Sequence, residues 1–144
     1  MGWGGWKDGR TNLLAGALLL TVLAACENSA TAYTIDTSQH ALVLVREQPY
    51  FWTSTVDQSV VVSRLPHCQR KVHIHPGATT LTEMEVFEAG DRLWALRQGE
   101  RWYLASTEIC QVQDWNHPSN EAPGPRVGRF VLRDGKPVFV SEAG

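Results

Sequence analysis

Residues 83–106 read EMEVFEAGDRLWALRQGERWYLAS, and the fold class turns on them. Three runs rich in branched and aromatic side chains, EMEVFE (83–88), RLWALR (92–97) and RWYLAS (101–106), are separated by Gly90-Asp91 and by Gln98-Gly99. Each run has the length of a strand, and connections this short join strands that pair with their sequence neighbours. The stretch predicts an antiparallel meander.

Working outward, the same pattern continues on both sides. Ile109-Cys110-Gln111-Val112 extends the meander. GRFVLRDGKPVFVSE (128–142) is a second hairpin, with Phe130 and Leu132 before Asp134-Gly135 and Val138 and Val140 after it; Asp-Gly between alternating apolar runs is a strong hairpin signal. Upstream, ALVLVRE (41–47) suits a buried strand, PYFWTSTV (49–56) and SVVVSRL (59–65) flank a turn at Asp57-Gln58, and RKVHIH (70–75) stops at Pro76-Gly77. Past the N-terminal segment no stretch holds a 3.6-residue apolar period, and no repeat of 20–50 residues exists. The expected fold is all-β: a small antiparallel sandwich or partly open barrel, an SH3-like barrel being one sub-type, with about seven to nine strands. DWNHPSNEAPGPRV (114–127) interrupts the pattern with three prolines and reads as a long loop.

The N-terminus follows other rules. Lys7 and Arg10 precede an uncharged stretch, Thr11 to Ala25, whose apolar part is too short for the ~20 residues that span a bilayer. A basic start, a short apolar centre and small residues at the end describe a secretory signal peptide. Its last residues, Leu23-Ala24-Ala25-Cys26, match an aliphatic residue, two small residues and a cysteine, and so resemble the lipobox of bacterial lipoproteins. The resemblance implies cleavage before Cys26, a diacylglycerol thioether on its thiol and a fatty acyl group, typically palmitate, on the new amino group. Glu27 follows, where an aspartate is the inner-membrane retention signal in enterobacteria, so the implied address is the outer membrane with the domain facing the periplasm. The organisation expected is a signal peptide over 1–25, a lipid-anchored tether over 26–38 with a short strand at Tyr33-Thr34-Ile35, and one β domain over 39–144.

Removing residues 1–25 leaves 119 of the 144, enough for one domain with one core. Those 119 hold 11 basic and 14 acidic residues, a formal charge of −3. No basic stripe interleaved with aromatics is visible, which argues against a nucleic-acid partner. The expected partners are the membrane, through the lipid, and another envelope protein. With Cys26 assigned to lipid, Cys68 and Cys110 pair most simply with each other in an exported domain.

Candidate chemistry is sparse. His73-Ile74-His75 on a strand would place both imidazoles on one face, where a divalent metal could meet them, with His67 nearby and Glu83 or Glu85 as oxygen ligands. The order His-x-His, Glu83, Gly90 superficially resembles the first cupin motif, but His75 and Glu83 are too far apart and the second motif is missing. The competing reading turns Val72 and Ile74 inward and leaves the histidines to solvent. Gly-x-Ser-x-Gly, Ser-x-x-Lys and His-Glu-x-x-His are all absent from the sequence. Glu83, Glu85 and Glu88 read as a solvated face rather than a glycosidase pair. The aromatics Tyr50, Phe51, Trp52, Trp94, Trp102 and Tyr103 fall partly on opposite faces of their strands, so some are expected at the surface as contact residues. Trp115, His117, Trp102 and Trp94 are the partner-binding candidates. The function expected is a lipid-anchored binding or scaffolding module of the cell envelope, without catalysis. The alternative is a metal-binding protein or metal-dependent enzyme centred on His73 and His75.

Overall fold

The meander over 83–106 forms the middle of a six-stranded sheet in a computed structural model that describes residues 28–142. The expected signal peptide, residues 1–25, and Cys26 lie outside the described residues. The first sheet holds β1 (Asn28–Thr34), β2 (His40–Glu47), β3 (Thr55–Arg64) and β4 (Cys68–His73) in that order, with the two-residue β5 (Gly77–Ala78) paired to β3. The second holds β6 (Met84–Gly90), β7 (Leu93–Gln98), β8 (Arg101–Ser106), β9 (Gln111–Asp114), β10 (Arg126–Arg133) and β11 (Lys136–Ser141), in the order β11-β10-β6-β7-β8-β9. Every pairing is antiparallel. The all-β class therefore holds, with eleven strands among the described residues rather than seven to nine.

The turn chemistry works as the residues dictate. Asp134 and Gly135 both take positive φ, 52° and 75°, the conformation of a two-residue turn whose twist matches its strands. Two other expectations are corrected. The segment from Asn28, expected within the tether, is strand β1, in register with β2 from Asn28↔Glu47 to Thr34↔Ala41. Its side chains alternate between exposed and half-buried along its length, so small polar residues serve an edge strand as well as they serve a linker. Asp57-Gln58 is not a turn: β3 runs straight through it, and the connection from β2 is the segment 48–54.

The two sheets enclose one core, with Leu42, Leu44, Val60 and Val62 facing Met84, Val86, Leu96, Tyr103 and Phe130. At the end of the sandwich where β2 gives way to β3 the apolar filling is interrupted by a buried polar layer, with the buried Val56 beyond it. Arg46 and Gln58 are both fully buried there. Arg46 Nη2 donates to the carbonyl of Ala78, and Gln58 Nε2 donates to the carbonyl of His75 at 2.8 Å and to Gln98 Oε1 at 3.0 Å.

Both open sides are bridged. On one, β1 and β11 lie alongside each other, with Thr31 Oγ1 donating to the Pro137 carbonyl at 3.3 Å and the Tyr33 and Phe139 rings 4.6 Å apart. On the other, the disulfide Cys68–Cys110 ties the first residue of β4 to the turn before β9, with Cα atoms 5.9 Å apart. The bridge spans 42 residues, for which the chain-entropy model gives ~4 kcal/mol. Replacing both cysteines by alanine should lower the unfolding free energy by ~2–5 kcal/mol in urea titration; a change under ~1 kcal/mol would show that the sheets hold together without it.

Candidate functional site

The central strands of the second sheet carry large side chains at consecutive positions, so their outer face is apolar as well. Val86, Leu96 and Tyr103 point into the core, while Phe87, Ala95 and Trp102 form a second buried cluster, with Ala89, Leu104 and Trp115 packed against it. Trp102 and Tyr103 are adjacent in sequence, yet only 4% and 2% exposed. Both faces of this sheet are covered.

The loop between β9 and β10 supplies the outer cover. Its first residue continues the ladder, Trp115 N–H donating to the Trp102 carbonyl at 2.9 Å. The Trp115 ring meets Trp102 edge-on at 5.6 Å, and His117 stacks on Trp115 at 3.9 Å. Asn120 takes φ +54°, which asparagine tolerates, and its Oδ1 accepts from Trp102 Nε1 at 2.6 Å. His117 Nε2 lies 2.5 Å from the carbonyl of Glu121, an acceptor only, so that nitrogen carries the proton. The loop returns to β6 where Glu88 N–H donates to the Pro125 carbonyl at 2.9 Å. Gly124 makes that approach possible, because a Cβ there would lie 2.3 Å from the Glu88 carbonyl oxygen.

An ion network borders the aromatic cluster. Glu85 Oε1 accepts from Arg97 Nε at 2.9 Å and Nη2 at 2.5 Å, Glu85 Oε2 accepts from Arg126 Nη1 at 2.8 Å, and Arg126 also pairs with Glu142. The Arg97 guanidinium sits over the Phe87 and Trp102 rings, 5.4 and 5.2 Å from their centroids, a favourable placement of cation on π face. Burial pushes the Glu85 carboxyl up, and the hydrogen bonds from Arg97 and Arg126 outweigh it, holding the group below the ordinary glutamate range. Beside the cluster a groove of about 240 Å³ opens between the β7–β8 turn and the start of the loop, lined by Glu100, Arg101, Trp102, Asp114, Trp115, Asn116 and His117. Its walls offer both signs of charge, an aromatic stack and an exposed amide, a set suited to contact with a polar surface.

The fold thus gathers Trp102, Trp115 and His117, but not all as contact residues. Trp94 is corrected to the main core, 6% exposed and edge-on to His40. Trp102 is buried beneath the loop and shows a partner little of itself. Trp115 and His117 are half-buried and remain at the groove. The candidate metal ligands are placed apart in role. His73 lies on the outer face of the first sheet, its Nδ1 2.9 Å from Ser59 Oγ, and His67 sits in the β3–β4 turn. His75 follows β4, its N–H donating to the Tyr103 hydroxyl at 3.2 Å. Val72 and Ile74 pack against the core between the exposed histidines. Among the described residues no three His, Cys, Asp or Glu side chains stand together as a metal centre.

The most exposed aromatics are ones that the strand reading of 49–56 misplaces. Tyr50, Phe51 and Trp52 lie in the β2–β3 connection, 55%, 58% and 67% exposed. The signal was Pro49, which has no ladder donor and ends the strand before them.

Comparison with protein-family models, with characterised proteins and with solved structures gives no match. The functional reading therefore rests on the residues themselves.

Two outcomes test the covered face. Trp102→Ala should cost ~3–5 kcal/mol in denaturant titration, as a large core truncation does; a loss under ~1 kcal/mol would mean that the loop does not seal this face. For Glu85, a carboxyl held below its ordinary range stabilises the fold above about pH 4.3 and loses that contribution as the pH falls through the folded-state value. Glu85→Gln should therefore destabilise at pH 7 by on the order of 1 kcal/mol, and the gap from the parent should narrow steadily as the pH is lowered below about 4.3. A gap that does not narrow on acidification would remove the ion network as its cause.

Proposed function

We propose that this chain is a bacterial envelope lipoprotein, anchored through Cys26 to the outer membrane, whose periplasmic β domain serves as a binding or scaffolding module in an envelope assembly. The observation that carries the reading is the disposition of the three cysteines. Cys68 and Cys110 are joined to each other, which suits an oxidising compartment. Cys26, in its lipobox, is the one left for acylation, two residues ahead of β1. The groove around Trp115 and His117 is the surface best suited to hold a partner: its aromatic pair is already stacked and bonded, so little side-chain freedom is lost on contact.

The reading is tested in two steps. Cys26→Ser should abolish labelling by a fatty-acid analogue and leave the precursor uncut; continued processing at the same position would mean an ordinary signal peptide. A photo-crosslinking residue in place of the exposed Asn116 should capture an envelope protein in intact cells. His117→Ala should reduce that capture at least tenfold while the domain still unfolds in one cooperative transition, with a stability loss no larger than the ~0.5–3 kcal/mol of an ordinary single substitution. Capture unaffected by His117→Ala would place the partner elsewhere on the domain.

A further inference from the structure

The aromatic tip lies at the end of the molecule from which β1 starts. β1 begins at Asn28, whose partner in register is Glu47, the last residue of β2. The chain that continues past Glu47 is the segment carrying Tyr50, Phe51 and Trp52, and the chain that precedes Asn28 reaches Cys26 in two residues. Two residues span at most about 7 Å and three about 11 Å, so Cys26 and Tyr50 lie within about 25 Å of each other even with both segments drawn out. The short link contains only Glu27 between Cys26 and Asn28, leaving no slack to carry the domain away from its anchor.

The tip is exposed but held. Gln48, itself 8% exposed, donates through Nε2 to the Thr53 carbonyl at 2.6 Å. Thr53 closes the turn, its N–H and Oγ1 both donating to the Tyr50 carbonyl, at 3.1 and 2.9 Å. The Tyr50 and Trp52 rings stack at 4.8 Å, and Phe51 meets Trp52 edge-on at 4.9 Å. Three adjacent aromatic rings set outward on a bonded turn expose apolar area that water disfavours. Tyrosine and tryptophan with polar edges are the side chains that settle at the headgroup level of a bilayer.

We infer that Tyr50, Phe51 and Trp52 form a membrane-docking tip that enters the headgroup interface of the bilayer holding the Cys26 lipid, fixing the domain's orientation on that surface. The inference rests on the lipoprotein reading of Cys26. Docking is aromatic rather than ionic: the nearest residue of β2 is the exposed Glu47, already bridged to Lys71 at 3.3 Å, and the processed chain carries a formal charge of −3. Zwitterionic lipid is therefore sufficient.

The test uses the processed, lipid-bearing protein reconstituted into phosphatidylcholine vesicles with brominated acyl chains, which quench only tryptophan at the membrane. Trp52 is the tip's single tryptophan, and Trp94, Trp102 and Trp115 are packed in the fold. The parent should be quenched, and Trp52→Phe should lose more than half of that quenching. A photo-crosslinking residue in place of Phe51 in intact cells should yield a phospholipid adduct. Equal quenching in parent and Trp52→Phe, or continued access of iodide to Trp52 on the vesicle, would overturn the inference. A protein adduct at position 51 with no lipid adduct would also overturn it, making the tip a protein-docking surface. Mass analysis of the N-terminal peptide separates the two levels of failure. An unacylated Cys26 removes the lipoprotein reading and the tip together, whereas an acylated Cys26 with a water-facing Trp52 removes the tip alone.

Discussion

The strands β6, β7 and β8 carry apolar side chains on both faces, and both faces have to be kept from water. The first sheet covers one, packing Leu42, Leu44, Val60 and Val62 onto Met84, Val86, Leu96 and Tyr103. Among the described residues no further sheet covers the other, and the loop after β9 is laid over Phe87, Ala95 and Trp102 instead. Most of the remaining architecture follows. The disulfide and the β1–β11 contact hold the first cover in place at its two edges. The Trp102–Asn120 bond, the Glu88–Pro125 bond and the narrow passage at Gly124 hold the second.

The loop is therefore neither a free arm nor only a lid. Its buried side completes a core, where a side chain such as Trp102 is worth several kcal/mol. Its outer side carries Asn116 and His117 at the rim of a groove. Because the same few residues do both, function at this face would be tied to stability: whatever loosens the loop exposes aromatic surface and blurs the groove together. The ion network of Glu85, Arg97 and Arg126 lies on this face too, so acid would weaken it beside the groove.

Much of this was legible in the sequence, and the parts that were not have physical reasons. The meander and the 128–142 hairpin could be read because Gly99, Asp134 and Gly135 sit where the backbone needs positive φ, and alternation does the rest. The pairing of Cys68 with Cys110 followed from counting cysteines in a chain whose N-terminus reads as an export signal. Only the end of β1, at Tyr33-Thr34, was legible, because an edge strand that buries only Ser29, Thr31 and Tyr33 on one side otherwise has the composition of a linker. Asp57-Gln58 looked like a turn because the code for burying a glutamine is tertiary: it depends on the His75 carbonyl and on Gln98, neither of which is near in sequence. Trp94 and Trp102 were misjudged as contact residues for the same cause, since alternation says which residues share a face and not what covers it.

The buried polar layer at the end of the core bears on a different problem, that of choosing among pairings. In β2 the residues on both faces are branched and apolar, Leu42 and Leu44 pointing inward and Val43 and Val45 outward, whereas in β3 the outward Val61 is flanked by Ser59 and Ser63. Side-chain alternation alone would leave β2 almost indifferent to a slip of one residue, which exchanges the faces of a strand, and only the serines of β3 would resist it. Arg46 and Gln58 remove that indifference. A slipped β2 would carry the guanidinium of Arg46 away from the Ala78 carbonyl, and a slipped β3 would strip Gln58 of its bonds to His75 and Gln98. The polar layer thus gives a greasy pair of strands a single address, by making every neighbouring alignment strand a charge or an amide.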